Sequence, residues 1–164
     1  MGRFLNTVSG LLIGAIGLYG CSSNIDATKP IITNVPEIVK NIKKYEGKAV
    51  GFDGPAFARR SGYQLNGFLD ADGTDRTTND RIPLVAAPII TERNNIEMEH
   101  RMDSACELLS GDRGTPHVRG VVRKGVFEVY EVTVTRPHMD KVNGVLEQVN
   151  TGVSMPLKGV KFNF

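Results

Sequence analysis

The chain has 164 residues, a formal net charge of +2 and a hydrophobic fraction of 40%. This length supports one domain with a modest core, and the composition is typical of a folded chain and not of a disordered one. The small charge excludes nucleic-acid or lipid binding through bulk electrostatics, and two cysteines without a CxxC pair exclude a disulfide framework.

Residues 1–20 have the pattern of a secretory signal. Arg3 is their only charge, and the apolar run Leu11–Leu18 is too short to span about 30 Å of hydrocarbon. The run lacks the polar face of a helix packed in a small domain, and Asn6 stands where an N-myristoylation motif has Ser or Thr. The segment therefore predicts export, and it ends in Leu18-Tyr19-Gly20-Cys21.

These four residues resemble the lipobox of bacterial lipoproteins, although Tyr19 is bulkier than the usual residue at its position. The resemblance implies that Cys21 becomes the first residue of the mature chain and carries lipid. Several acyl chains, at about 0.8 kcal/mol per buried CH₂, make a nearly permanent membrane anchor. Ser22, in place of Asp, implies an outer-membrane lipoprotein that faces the periplasm. Cys106 would then be the only free thiol.

The chain after Cys21 divides into three parts. Residues 21–33 include the polar stretch Ser22–Pro30 and predict a lipidated tether, residues 34–135 predict the folded domain, and residues 136–164 predict a C-terminal extension. Asn34 is placed to cap a short helix, with Glu three residues later. Ile38, Ile42 and Tyr45 form its apolar stripe, and Gly47 is expected to end the helix.

From Lys48 onward the apolar period changes to two, which predicts strands. The first is Lys48–Phe57, with a bulge or bend at Gly54-Pro55. A turn at Ser61-Gly62 leads to a second strand, Tyr63–Leu69. The polar loop Asp70–Asp80 then precedes a third strand at Ile82–Ala86.

The strongest helix signal covers Glu92–Ser110. Its apolar positions recur at four, three and four residues, and Met102 and Leu109 are expected to point inward; the stripe is Met98, Met102, Ala105 and Leu109. Two further strands are predicted, joined tightly through Lys124-Gly125: Val118–Arg123 and Val126–Val134. The alternation in residues 160–164 predicts a terminal strand added to an edge.

Three strands, a helix and two strands is the element order of an OB-fold barrel. The phrases at residues 45–54 (YEGKAVGFDG) and 118–122 (VRGVV) resemble the first and fourth strands of OB-fold domains in bacterial periplasmic proteins and lipoproteins. The predicted fold is therefore mainly β (α+β): a five-stranded OB-fold-like barrel with a helix between strands three and four. Such domains bind varied ligands or partners.

No metal site or cofactor is predicted. The acidic loop Asp70–Asp75 fails the EF-hand register, because Asp75 replaces the glycine and Arg81 replaces the final glutamate. The histidines, His100, His117 and His138, lack metal-ligand spacing and are interpreted as surface or core-edge residues. Cys106, next to the apolar stripe of the helix, is interpreted as a small buried hydrophobe.

No catalytic motif is present, and the chain is not predicted to be an enzyme: it has no GxSxG, HExxH or GxxxxGK[ST]. Aromatic and basic side chains on the first two strands offer a candidate ligand face, although alternating aromatics on barrel strands are more often core; its residues are Phe52, Phe57, Arg59, Arg60 and Tyr63. Nucleic acid is not expected as a partner in the cell envelope.

Three functions remain open. The leading hypothesis is a non-catalytic, lipid-anchored envelope module that binds an envelope protein or a cell-wall component. The alternative is an oligosaccharide- or nucleotide-binding receptor that uses the same barrel face. The third is a hydrolase of envelope polymers, which needs two carboxylates in a dry cleft.

Overall fold

A computed structural model describes residues 24–71 and 81–162. The predicted signal segment, Cys21 and most of the acidic loop lie outside the described residues. The described chain is mainly β, as predicted, with two α-helices and a short 3-10 helix at Ile42–Tyr45. The helices are α1 (Val35–Lys40) and α2 (Asn95–Leu109). The strands are β1 (Ile25–Asp26), β2 (Ile31–Thr33), β3 (Ala49–Asp53), β4 (Phe57–Ser61), β5 (Gln64–Asp70), β6 (Arg81–Ala86), β7 (Pro116–Arg123), β8 (Val126–Met139), β9 (Leu146–Ser154) and β10 (Val160–Lys161).

Eight of these strands form the main sheet, in the order β2-β3-β7-β8-β6-β5-β4, with β9 added on β8. The β2–β3 and β6–β8 pairs are parallel, and the other pairs of this sheet are antiparallel. A separate two-stranded sheet joins β1 to β10 in parallel. The long β8 is the centre of the fold, because it pairs with β6, β7 and β9 along its length.

The hydrogen-bonded sheet is open, which differs from the predicted closed five-stranded barrel. The predicted first strand is divided into β3 and β4 at residues 54–56. Gly54 has a φ of +130°, and Pro55 has no N–H to give to a ladder. The neighbouring backbone groups bond elsewhere: Gly54 N–H donates to Pro116 O, and Ala56 N–H donates to Leu109 O. The ladder therefore stops where the sequence predicted a bend.

The main core lies between the sheet and α2. Met102 and Leu109 are fully buried, so the predicted inward orientation of this helix is confirmed. The helix ends as predicted, with Gly111 at a φ of +81° just after it. Phe52 and Phe127 pack across the core with their ring centroids 5.5 Å apart. No polar or charged residue is buried in the described part of the chain.

A β-bulge in β8 creates a second, smaller core. Gly120 pairs with Val129 and Arg119 pairs with Glu131, so Tyr130 is the extra residue of the bulge. Tyr130 consequently joins a cluster separate from the main core, and its hydroxyl donates to Ala27 O at 3.3 Å. The other buried members of this cluster are Ala27, Ala49, Val121 and Leu157.

The segment before α1 is folded onto the domain from residue 24, where the sequence predicted a tether. β1 and β2 each pair with another strand, and Ala27 is buried against Tyr130. Short strands that form a few parallel pairs need no apolar alternation in the sequence. The polar composition of this segment therefore gave no indication of β1 and β2. The cap of α1 is as predicted, with the Asn34 side chain accepting from Glu37 N–H at 2.9 Å.

The C-terminal extension also differs from the prediction. Its longest element is β9, which the sequence did not indicate, and β10 pairs with β1 instead of joining an edge of the main sheet. The residues of β9 are exposed on both faces up to Gly152. A strand with no buried face carries no apolar alternation, and it is specified here by its pairing with β8.

Candidate functional site

A polar cleft lies on the outer face of β3, β7, β8 and β9. Register places two rows of residues side by side across these strands. One row runs Asp53, His117, Thr133 and Gly152; the other runs Gly51, Arg119, Glu131 and Ser154. Because alternate residues of a strand share a face, both rows point away from the core. The depression has a volume of about 460 Å³.

Charged side chains in the cleft are paired across strands. The ring Nδ1 of His117 lies 2.7 Å from Asp53 Oδ1, and Arg119 Nη1 lies 3.0 Å from Glu131 Oε2. All four side chains remain partly exposed, so these pairs contribute little to stability. Their donors and acceptors instead stay accessible from solvent.

Uncharged polar groups extend the cleft toward the end of β9. The Thr135 hydroxyl donates to Asn150 Oδ1 at 2.8 Å, and Ile32 forms an apolar rim. Gly152 leaves the space that Thr133 occupies, since a Cβ there would lie 2.5 Å from Thr133 Cγ2. The cleft thus combines both charge signs, hydroxyls and an amide, which suits a polar ligand with several hydrogen-bonding groups.

The arrangement does not assemble a nucleophile. Asp53 and His117 form the kind of pair that orients an imidazole in catalytic triads. The hydroxyl of Thr133 is the next group in the row, and it makes no hydrogen bond to His117 in the described structure. No group of three His, Cys, Asp or Glu side chains that could hold a metal ion occurs among residues 24–71 and 81–162.

The residues predicted from sequence divide between several places. Phe57 and Arg59 lie on the outer face of β4, and Tyr63 is exposed in the turn before β5. Arg60 points toward α2, with its Nε 2.6 Å from Asp103 Oδ1. Phe52 is only 1% exposed and packs against Phe127 in the main core, so its ring does not join the other predicted residues on a surface.

An aromatic face forms where Phe57 and Phe68 meet across β4 and β5. Their rings are stacked, with centroids 5.1 Å apart and an interplanar angle of 27°. The Arg81 guanidinium lies 4.5 Å from the Phe68 centroid, in cation–π geometry, and its Nε donates to Asp70 at 3.0 Å. We call the surface formed by these side chains the aromatic face; its residues are Phe57, Arg59, Phe68 and Arg81.

The polar cleft was not predicted as a site from the sequence. Its signal was nevertheless present in an alternation of polar residues along two strands that extend beyond their predicted bounds: His117 and Arg119 in β7, and Glu131, Thr133 and Thr135 in β8. Such alternation marks the solvent face of any half-buried strand. Only the pairing of β7 with β3 and of β8 with β9 brings these residues together with Asp53 and Asn150.

Cys106 is partly buried on α2 and packs against the main core. Burial, and to a lesser extent the nearby Asp103 carboxylate, raises the pKa of its thiol. The thiol therefore stays protonated near neutral pH and is a poor nucleophile. The sequence predicted a small buried hydrophobic residue, and the structure shows a partly buried one that packs against the main core.

In the two described ranges, no helix has the length and apolar character needed to cross a membrane. Comparison of the chain with protein-family models, with curated proteins and with solved structures found no match.

Proposed function

We propose that this chain is a lipid-anchored, non-catalytic binding module of the bacterial cell envelope, and that its polar cleft binds an envelope protein or a cell-wall component. Cys21 carries the lipid in this proposal and Asn24 follows three residues later. Three residues can span at most about 10 Å, so the folded domain lies close to the outer membrane on its periplasmic side. No cofactor takes part.

An OB-type barrel is the architecture proposed for the domain. The order in which the strands pair supports this proposal, if β3 and β4 are treated as the two halves of one bent strand. The pairs β4–β5, β5–β6, β6–β8, β8–β7 and β7–β3 then follow one circuit, with α2 between β6 and β7. That circuit is the connectivity of a Greek-key barrel of the OB type. In OB domains the sheet is a scaffold, and the ligand is selected by the side chains it displays.

The observation that carries the proposed function is the composition of the cleft. Its accessible Asp53, His117, Arg119 and Glu131 are arranged in opposite-sign pairs, with hydroxyl and amide groups beside them. A ligand that exchanges hydrogen bonds with such pairs need not bring a compensating charge. Peptides, glycans with amide groups and polar protein surfaces all fit this chemistry.

Site-specific photo-crosslinking in intact cells tests the cleft. A photoreactive amino acid at Thr133 is expected to give a discrete adduct with one envelope protein, or a shift of the chain into the insoluble cell-wall fraction. The matched control is the same amino acid at Arg59, on the aromatic face. Adducts at neither position, or the same adducts at both, would contradict binding by the cleft.

Substitutions in the cleft provide a second readout. Arg119→Ala removes a guanidinium that contacts Glu131, and it is expected to reduce adduct formation from Thr133 by about tenfold, the effect of losing one charged hydrogen bond worth about 1.5 kcal/mol. Arg59→Ala removes the same type of side chain from the other face and is expected to leave the adduct unchanged.

The aromatic face favours a second candidate function, an oligosaccharide- or nucleotide-binding receptor. Stacked rings with an adjacent guanidinium bind planar bases or the apolar faces of sugars. The specific observation is the Phe57–Phe68–Arg81 stack. A ligand panel distinguishes the candidates by thermal shift, since Phe57→Ala abolishes stabilisation by a ligand of this face, whereas His117→Ala abolishes it for a ligand of the cleft.

The anchor is tested separately. Cells grown on labelled palmitate should label the wild-type chain and Cys106→Ser, but not Cys21→Ser, because serine cannot replace the thiolate as the nucleophile that takes up the diacylglycerol. Cys21→Ser should also accumulate as uncleaved precursor. Equal label in all three chains, or label in none, would contradict lipidation at Cys21.

A further inference from the structure

A two-stranded arm extends beyond the main sheet. Residues 135–139 of β8 pair with residues 146–150 of β9, whereas β7 stops at the Pro116–Val134 pair. Five residue pairs at about 3.4 Å each make an arm of about 17 Å. Its turn is well organised, because the Asp140 carboxylate accepts from Val142 N–H at 2.8 Å and from the Asn143 side chain at 2.6 Å.

The tip of the arm displays apolar side chains to solvent. Val142 is 90% exposed, and three further apolar residues beside it are also exposed: Met139, Val145 and Leu146. A rigid turn that holds apolar groups in water is unusual for a monomer, since the free energy of burying them is left unused.

The two edges of the arm differ. Pro137 lies in the β8 edge, where a residue without an N–H discourages pairing with another strand. The outer edge of β9 pairs with no strand in the described structure, and its single charge is Glu147. It contains no Pro and no Lys, so it lacks the usual protection against strand addition.

The backbone of β9 offers hydrogen-bonding groups along this edge. Ser154 O accepts from the Arg101 guanidinium at 3.1 Å and not from β8, so this carbonyl is directed to the outer side. Backbone groups alternate along an antiparallel strand, and the register with β8 is continuous. The groups of Gln148, Asn150 and Gly152 therefore point outward as well.

We propose that the outer edge of β9 pairs with the same edge of a second copy of this chain, antiparallel, about a two-fold axis at Asn150. An axis at this residue places Gln148 opposite Gly152 of the second copy, so that outward-directed groups meet. It also places Glu147 opposite Val153, and the two copies bring no like charges together. The two-fold closes the assembly and leaves neither β9 edge free.

The same axis gives the apolar tip a partner. It sets Gly144 level with Pro156 of the second copy, and Pro156 O accepts from Ile89 N–H at 2.9 Å. Ile89 and Ile96 are exposed apolar residues at that end of the edge, Ile96 in the first turn of α2. The tip of each copy thus contacts apolar residues of the other copy, and the two-fold axis generates this contact twice. Lys141 at the tip and Glu92 near Ile89 are opposite in charge.

Crosslinking of the full-length chain in detergent tests the axis. In a Cys106→Ser background, the axis brings the Asn150→Cys positions of the two chains next to each other. This variant is expected to give a crosslinked dimer with a short bismaleimide. His138→Cys, exposed on the edge that Pro137 protects, is the matched control and should give at least tenfold less. Little dimer at residue 150, equal dimer at both positions, or a crosslink to a different protein would overturn the proposal.

Charge substitutions test the pairing without a crosslinker. Val149→Lys with Thr151→Lys sets lysine against lysine across the axis, so sedimentation should show a monomer where the wild-type chain is a dimer. His138→Lys adds charge on the other edge and should remain dimeric. Far-UV circular dichroism identifies variants that are misfolded. A folded double variant that stays dimeric, or a wild-type chain that is monomeric, would overturn the proposal.

Discussion

At the scale of single residues, Tyr130 packs in the second core, separate from the main core. It is 3% exposed, and burial raises the pKa of its hydroxyl from 10.0 to about 12. As the pH rises, the hydroxyl loses its proton in the unfolded chain at a lower pH than in the folded chain. Its contribution to stability is therefore complete below pH 10 and declines as the pH rises from about 10 to about 12. The free energy of unfolding should fall by about 2 kcal/mol over this interval.

Urea unfolding at a series of pH values, compared between the wild type and Tyr130→Phe, measures this effect. Tyr130→Phe loses the bond to Ala27 O, which costs about 1 kcal/mol at neutral pH. The difference between the two chains should shrink or reverse above pH 10, because phenylalanine has no proton to lose. A constant difference up to pH 12 would contradict the burial effect.

Residue-level prediction from sequence succeeds where a pattern has one interpretation. The apolar stripe of α2 can face only a core, and Met102 is buried as expected. Phe52 illustrates the opposite case, since a strand aromatic suits either a core or a ligand face. In β8 the buried positions change parity between Val129 and Val132, which is the pattern of a bulge. The pairing with β7 is needed to place Tyr130 there.

At the scale of elements, α2 is held by its buried face. Met102→Ala removes a fully buried side chain next to the sheet and should destabilise the domain by about 2–5 kcal/mol, measured by chemical denaturation. His100→Ala changes an exposed position of the same helix and should shift stability by less than about 0.5 kcal/mol. Similar losses for both would mean that the helix is not packed as described.

The capping of α1 can be tested in the same way. Asn34→Ala removes the acceptor of Glu37 N–H and should cost about 1 kcal/mol of unfolding free energy. Asn34→Asp keeps an acceptor in place and should be nearly neutral. A full loss with aspartate would mean that the carboxamide has a role other than capping.

Elements differ in how far the sequence predicts them. Both helices occur where their apolar stripes predicted them, but with different bounds. α1 ends at Lys40 and a separate 3-10 helix covers Ile42–Tyr45, where the sequence predicted one helix up to Gly47. α2 begins at Asn95 and not at Glu92. β9 has no buried face to create a pattern, and β1 and β2 are too short to show one. The alternation in residues 160–164 predicted the strand at β10 but not its pairing with β1. The polar cleft depends on β9 for Asn150, and on the β3–β7 register for the meeting of Asp53 with His117. The cleft therefore could not be assembled from the sequence.

At the scale of the whole molecule, the second core ties the beginning of the described chain to its end. The Tyr130 and Phe162 rings meet edge to face, with centroids 5.3 Å apart, next to β1 and β10. Phe162→Ala should lower stability by about 1–3 kcal/mol through loss of apolar burial and the ring contact. Hydrogen exchange should then accelerate at Ile25 and Ala27 while the amides of β7 stay protected; uniform acceleration would contradict a separate second core.

The parallel pairing of Ile25 with Val160 also has a kinetic consequence. These residues are 135 positions apart, whereas the β7–β8 hairpin closes through Lys124 and Gly125 alone. Loop-closure entropy makes a contact between distant segments costly until the intervening chain is already compact. The β1–β10 pair is thus expected to assemble after the rest of the domain and to open first, so pulse-labelled refolding should find its amides the last to gain protection.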